Sequence, residues 1–254
     1  MNEAALDLYI LWPALIAGVL VTATHVPFGI QVLSRGIVFI DLAIAQIAGL
    51  GVICADWMGY EPQGWGVQLA ALVAAFAGAL LLTWTEKLWP DVQEALIGVT
   101  FILAASGALI VLASNPHGAE HLKDLLVGQI LWVDASRLPL VAGAYALILL
   151  AWFALGPRIG RLGFYLLFAC AVTVSVQLVG LYLVFTTLIV PALATRRMAK
   201  RRLAAAYVLS VAGYTFGLVT SALTDWPSGP AIVWVMSALA VLVFAAGPRP
   251  SRFG

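Results

Sequence analysis

Long apolar runs narrow the possible folds of this chain more than any other feature. Several stretches of about 20 residues hold almost no charged side chain, and this is the length that an α-helix needs to cross a bilayer. Among the 254 residues, 63% are hydrophobic and 10% are charged, whereas soluble domains contain roughly half and a quarter. One soluble core cannot hide that much apolar surface from water. The sequence therefore predicts an all-α, polytopic membrane protein.

The distribution of charge excludes other classes of protein. A net charge of +1 with high hydrophobicity is not typical of a disordered chain. The 13 Lys and Arg residues are spread along the sequence, so no basic face for nucleic acid is expected. No P-loop motif occurs, so the energy for any pumping must come from a partner or an ion gradient. Cys54 and Cys170 lie in apolar stretches and are predicted to be buried as small hydrophobic residues.

The apolar runs predict about eight to nine transmembrane helices. The stretch 163–195 is too long for one helix, and Gly180 is predicted to break it into two short passes. Connections between runs are short, so residues 1–254 are predicted to form a single transmembrane domain. The other candidate spans are residues 8–30, 36–56, 64–85, 95–113, 138–156, 203–222 and 229–246.

The basic residues predict an orientation in the membrane. With nine passes and the N-terminus outside, 11 of the 13 Lys and Arg residues fall on one side. Basic residues concentrate on the cytoplasmic side of membrane proteins. We therefore predict that the N-terminus is outside and the C-terminus is cytoplasmic. The run 196–202 is interpreted as an anchor on that side, and the alternative is a docking surface for an acidic cytoplasmic partner.

Two ionisable side chains lie inside the apolar spans, His25 in the first and Asp41 in the second. Such groups are costly in a membrane unless they are paired or face a water-filled path. One interpretation is a ligand in a translocation pathway, which we favour for Asp41. The alternative is a hydrogen bond between packed helices, including a pair formed by His25 and Asp41.

Gln46 is a further candidate for lining a pore. It follows Asp41 by five positions, which is about 140° around a regular α-helix, so the two side chains should not share a face. A π-bulge would bring an i+5 residue beneath its partner, and such bulges occur often at functional sites. We include Gln46 on that hypothesis.

A polar loop at residues 114–124 contains His117, Glu120, His121 and Asp124. The spelling H-x-x-E-H is that of an inverted zinc-peptidase motif. No glutamate follows Glu120 to complete such a site, and nearby proline and glycine disfavour the helix it needs. We instead expect a site at an outer pore mouth that collects divalent cations, and a solvated loop is the alternative.

Several segments together resemble one family. Residues 35–51, which include Asp41, resemble the second-helix signature of ABC-type metal-ion permeases, the membrane subunits of zinc, manganese and chelated-iron importers. Glu94, read from the residues alone as a carboxylate favoured by a helix N-terminus, opens a second matching segment. The matching segments after the first are residues 94–98, 125–131, 179–192 and 227–233.

The resemblance implies a permease and not an enzyme. It implies a homodimer in the bacterial inner membrane, supplied by an extracytoplasmic metal-binding protein and driven by cytoplasmic ATPase subunits. The transported ion would be zinc or manganese, with no permanently bound cofactor. Asp41 would be the ligand in the path, with His25 and Gln46 as second-tier pore residues.

The chain departs from the family pattern at two places. Family members usually carry histidine four residues after the second-helix aspartate, and here that residue is Ala45. The segment 156–163 stands where relatives have a coupling helix for the ATPase, and its glycines and proline are poor helix formers. Import of a metal chelate, haem or siderophore, and ATP-independent transport, therefore stay as alternatives.

Overall fold

The structure is a computed structural model that describes residues 8–61, 64–112, 130–198 and 200–247. Every regular element in these ranges is helical, and nine are α-helices. They are α1 (Leu8–Arg35), α2 (Ile40–Trp57), α3 (Trp65–Leu88), α4 (Gln93–Leu112), α5 (Leu138–Leu155), α6 (Gly160–Val179), α7 (Leu181–Ala194), α8 (Arg202–Thr224) and α9 (Ser228–Ala246). The prediction of an all-α chain is confirmed.

Eight of the helices in the described ranges are long and apolar enough to cross a membrane. The exception is α7, whose 14 residues give a length of about 21 Å against a hydrocarbon core of about 30 Å. Large apolar side chains cover the outer faces of the long helices, as a lipid environment requires and water does not favour. Examples are Leu69, Leu103, Val208, Trp234 and Leu242.

A glycine separates α6 from α7, as the sequence predicts, but the two helices are not both short: α6 has 20 residues and is long enough to span, and only α7 is short. Gly180 adopts φ 84° and ψ 163°, a conformation that is essentially restricted to glycine. The connection before α6 is a single 3₁₀ turn, Gly156–Ile159, followed by Gly160 at φ 64°. This turn is too short to serve as a docking helix, and the rest of the segment 156–163 forms the first turn of α6.

The helices pack as two compact units. The first unit contains α1, α7, α8, α9 and the start of α5, and the second contains α2, α3, α4, the end of α5 and most of α6. In the first unit α1 contacts α7 and α8, and α9 contacts the same two helices. In the second unit α2, α3 and α4 contact one another.

Small residues allow the helices of the first unit to approach closely. A Cβ atom added at Gly29 of α1 would overlap the backbone carbonyl of Leu188 in α7. Gly217 of α8 stands in the same way against the backbone of Ile232 in α9. Such small residues at contacts are typical of helices that associate in membranes, because close backbone approach increases the packing between them.

Buried polar side chains of the second unit hold the start of α4 against the end of α3. Gln93 Nε2 donates to the Leu82 carbonyl at 3.0 Å, and Thr85 Oγ1 donates to Gln93 Oε1 at 3.0 Å. Gln93 Nε2 also lies 3.5 Å from the hydroxyl of Tyr165 in α6. These bonds fix the position of Gln93 and so of its neighbour Glu94.

The two cysteines, Cys54 and Cys170, are both free thiols. They are only partly buried, whereas the sequence predicts that they are buried.

Candidate metal-ion site

Asp41 lies in the first turn of α2 and is completely buried, with 0% of its side chain exposed. Neither of its carboxyl oxygens has a hydrogen-bond partner among the described residues. A buried carboxyl group without partners is costly, because it loses its hydration and makes no hydrogen bond in exchange. The N-terminal end of a helix offsets part of this cost for an anion. A group kept in this state is a candidate ligand for a cation.

Glu94, at the start of α4, is linked by a hydrogen bond to the residues just before Asp41. Its Oε1 accepts a hydrogen bond of 3.3 Å from the backbone N–H of Phe39, two residues before Asp41. Its Oε2 is buried and has no partner among the described residues. Glu94 is therefore held beside the segment that leads into Asp41. Glu94 is absent from the ligands predicted from sequence, where its place at the start of an apolar run is read as a helix-dipole effect.

Gln46 does not join this pair. The α2 helix is α-helical throughout Ile40–Trp57, so the hypothesis of a π-bulge is wrong. Gln46 is only partly buried and lies about 140° around the helix from Asp41. The residue one turn after Asp41 on the same face is the buried Ala45, which offers no ligand atom.

His25 is completely buried in α1, within the first unit. Its Nδ1 lies 3.1 Å from the Val21 carbonyl and 3.0 Å from Thr24 Oγ1. Because a carbonyl can only accept a hydrogen bond, Nδ1 carries a proton, and in the neutral ring Nε2 then presents a lone pair. That Nε2 is buried and has no partner among the described residues. A histidine that donates one N–H to a backbone carbonyl is arranged as metal-ligating histidines usually are.

The four residues of the predicted outer mouth, His117, Glu120, His121 and Asp124, lie outside the described residues. Their role as a collection site stays a prediction. Within the described ranges, no group of three or more His, Cys, Asp or Glu side chains could hold a metal ion. The candidate ligands of each unit are therefore few, and a closed structural metal site of the zinc-finger kind is not formed by them.

The basic run after α7 belongs to the first unit and is held in place by two kinds of contact. The guanidinium groups of Arg197 and Arg196 lie 4.0 Å and 5.5 Å from the centre of the Phe244 ring. Arg202 donates from Nη2 to the Ala192 carbonyl at 3.2 Å. Arg196, Arg197 and Lys200 are exposed. These contacts give the turn a defined, positively charged surface.

The model of one protein family, the ABC 3 transport family, matches residues 7–156 and 154–247. Among curated proteins, the chain is 24% identical to the high-affinity zinc uptake system membrane protein ZnuB of Haemophilus influenzae, over 92% of this chain and 96% of ZnuB. It is 27% identical to an uncharacterized membrane protein of Synechocystis sp., over 93% of this chain and 90% of that protein.

Two solved structures have the same fold. PsaBC from Streptococcus pneumoniae, solved in complex with Fab, superposes with a TM-score of 0.76 at 20% identity, covering 95% of this chain and 93% of its own. A metal-chelate type ABC transporter in an inward-facing conformation superposes with a TM-score of 0.65 at 15% identity, covering 97% and 91%. At these identities the likeness concerns the fold alone.

Proposed function

The chain belongs to the ABC 3 transport family, and from this premise we propose that it imports divalent transition-metal ions, zinc or manganese, as the permease of an ABC transporter. As a permease of this family it is not an enzyme, because ATP hydrolysis lies on separate subunits. It is a multi-pass membrane protein. We propose that it resides in the bacterial inner membrane and acts as a single permease domain.

The observation that carries the proposal is the buried carboxyl group of Asp41, which has no hydrogen-bond partner among the described residues. A transport path needs groups that hold the ion briefly and then release it. A carboxylate without competing partners meets that need, because its oxygens are available to a cation. The bare Nε2 of His25 supplies a second candidate ligand in the first unit. Gln46 is the weaker candidate, because it is turned away from Asp41 on α2.

The relatives support a metal cargo but name different forms of it. The ZnuB protein is part of a zinc uptake system, and one neighbour in fold is described as a metal-chelate type transporter. The unpartnered carboxyl of Asp41 favours the bare ion, because a carboxylate binds a metal directly. A chelate, haem or siderophore needs a wider cavity, and its import is an outcome that the uptake experiment distinguishes.

We propose the partners of an ABC importer for this chain, namely a second copy of itself, cytoplasmic ATPase subunits and an extracytoplasmic metal-binding protein. Of the described connections that the orientation with the N-terminus outside would place in the cytoplasm, residues 195–201 are the most basic. The exposed Arg196, Arg197 and Lys200 suit this turn to an acidic surface of the ATPase. His117, Glu120, His121 and Asp124 would take the ion from the binding protein at the outer mouth.

The test of function is uptake of radioactive zinc and manganese in a strain that lacks the gene. We expect wild-type protein to restore uptake of at least one ion, and Asp41→Asn to leave it near the background of the deletion strain. The matched control is Asp91→Asn, which removes an exposed carboxylate near the start of α4 and should transport normally. Normal uptake of both ions without the gene would contradict the proposal and favour a chelate.

The proposed orientation has its own test. In a variant without Cys54 and Cys170, a cysteine introduced by Lys200→Cys should react with an impermeant maleimide only in inside-out vesicles. A cysteine introduced by Glu61→Cys, after α2, should react only in spheroplasts. The opposite pattern of labelling would place the N-terminus in the cytoplasm and the basic run outside.

A further inference from the structure

We infer that Glu94 is a second metal ligand and forms, with Asp41, a two-carboxylate site in the second unit that binds divalent cations. The inference rests on the proposed function, because it concerns the same ion path. It adds a second carboxylate ligand, Glu94, that the resemblance to metal permeases does not supply. A site made of two carboxylates would also contribute little to a preference for zinc over manganese.

The backbone brings the two side chains to one place. Phe39 precedes α2, and its N–H donates to Glu94 Oε1 at 3.3 Å, so the starts of α2 and α4 are tied together. On the other side of Glu94, Gln93 is fixed by its bonds to the Leu82 carbonyl and Thr85. The Glu94 side chain is thus held at two points. Its Oε1 is bonded to the Phe39 N–H, and its backbone follows the fixed residue Gln93.

The pair is incomplete without a ligand. Of the four carboxyl oxygens in this pair, three are buried and have no hydrogen-bond partner among the described residues: both oxygens of Asp41 and Oε2 of Glu94. A glutamate that merely complements a helix N-terminus would turn its free oxygen to water, whereas this oxygen is buried. Two neighbouring carboxylates also repel each other, because like charges in a region of low dielectric interact strongly. A divalent cation between them neutralises both charges and occupies the free oxygens.

The ligand atoms determine the class of ion. Carboxylate oxygens suit hard cations such as manganese, whereas imidazole and thiolate suit zinc. Ala45, one turn after Asp41, provides neither, and no group of three or more metal-binding side chains exists in the described ranges. The pair itself therefore contributes little preference for zinc. We expect the two ions to bind it within about tenfold of each other, and potassium not to bind.

The experiment measures binding of manganese and of zinc to the full-length permease in lipid nanodiscs by isothermal titration. Glu94→Gln is the informative variant, because glutamine keeps an oxygen that can accept from Phe39 while losing the charge and one ligand oxygen. We expect Glu94→Gln to weaken manganese binding at least tenfold. Asp91→Asn, an exposed carboxylate close by, is expected to leave manganese binding unchanged.

Infrared difference spectra distinguish a ligand from a residue that only supports the fold. Manganese should shift carboxylate stretching bands of the wild-type protein, and the shift should lose about half of its amplitude in Glu94→Gln. Wild-type affinity and an unchanged spectrum in Glu94→Gln would overturn the inference. A Glu94→Gln substitution that weakens zinc binding at least a hundredfold more than manganese binding would overturn the statement about ion class.

Failure of the inference can be told from failure of the proposed function. If Asp41→Asn abolishes uptake and Glu94→Gln does not alter binding or uptake, the permease transports metal but Glu94 is not a ligand. If deletion of the gene leaves uptake of both ions normal and the wild-type protein binds neither, the proposed function fails and the inference fails with it.

Discussion

The two units treat their buried polar side chains differently. In the first unit, hydroxyl groups find partners across helices: Thr22 pairs with Ser210 at 2.8 Å, and Thr187 pairs with Tyr214 at 2.8 Å. In the second unit, both carboxyl oxygens of Asp41, one oxygen each of Glu94 and Glu86, and the hydroxyl of Thr173 have no partner among the described residues. Nearly all buried polar groups of folded proteins are paired, so each unpaired one needs an explanation.

This difference separates two uses of polarity inside a membrane protein. Hydrogen bonds between hydroxyl groups join α1, α7 and α8, and each contributes modestly to stability. Unpaired carboxylates lower stability and are kept where a ligand completes them. The comparison therefore predicts that polar substitutions in the two units change stability in opposite directions. Two nitrogen atoms are the exceptions in the first unit, because His25 Nε2 and Arg202 Nε are also buried without a partner in the described ranges.

The largest expected effect concerns the close packing of the first unit. Gly29→Ala places a methyl group on the carbonyl of Leu188, and because that atom belongs to the backbone it cannot turn aside. We expect a loss of about 3 kcal/mol or more in the free energy of unfolding, at the upper end of the cost of overpacking. The measurement is thermal unfolding of the purified protein in detergent.

Gly98→Ala is the matched control for this substitution. A Cβ atom at Gly98 of α4 meets no other atom within 4 Å, and alanine forms helices more readily than glycine. We expect the melting temperature of Gly98→Ala to be unchanged or raised. Equal losses in the two variants would show that close helix contact does not distinguish the two regions.

The second prediction concerns the glycine between α6 and α7. At φ 84° and ψ 163°, Gly180 occupies a region that residues with a Cβ atom rarely adopt. Gly180→Ala should cost about 1–3 kcal/mol of unfolding free energy, and the bulkier Gly180→Leu should in addition reduce transport. Normal unfolding and normal uptake in both variants would show that the break is not needed.

Much of this fold follows from sequence, and the reason is local. Apolar runs of membrane length predict the helices, and Gly180 predicts the break, because each depends on neighbouring residues. The end of α1 differs from the prediction. The sequence predicts a span that ends at residue 30, whereas the helix continues to Arg35.

The site was harder to predict because it depends on contacts between distant parts of the chain. Asp41 stands out in sequence as a charge in an apolar run. Glu94 does not stand out, because its candidacy as a ligand depends on a hydrogen bond to Phe39, which is 55 positions away in the chain. Gln46 was assigned through a π-bulge that the regular α2 helix excludes.

The third prediction tests the cost of the unpaired carboxyl group. Asp41→Asn should raise the stability of the metal-free protein by about 1–2 kcal/mol, because a neutral amide costs less to bury than an ionisable carboxyl group that lacks a partner. For a chain of this size we expect the melting temperature to rise by about 2–8 °C. The gain should vanish when manganese is present, since the ion stabilises only the wild type. A lower melting temperature without metal would contradict the assignment of Asp41 as an unsatisfied group.

The smallest effect is expected for Tyr214→Phe, which alters a paired polar group of the first unit as Asp41→Asn alters an unpaired one of the second. Tyr214→Phe removes one hydroxyl from the pair with Thr187, whose own hydroxyl still donates to the Leu183 carbonyl. Because Thr187 keeps a partner, the expected loss is about 0.6–1 kcal/mol, a fall of about 1–4 °C in melting temperature. Binding of manganese should not change, since this pair belongs to the packing of the first unit. If Tyr214→Phe raised stability, or Asp41→Asn lowered it by a similar amount, hydroxyl pairs and free carboxylates would serve the same structural purpose. Opposite signs in two such conservative substitutions would show that one unit uses polarity to hold helices together and the other keeps it available for an ion.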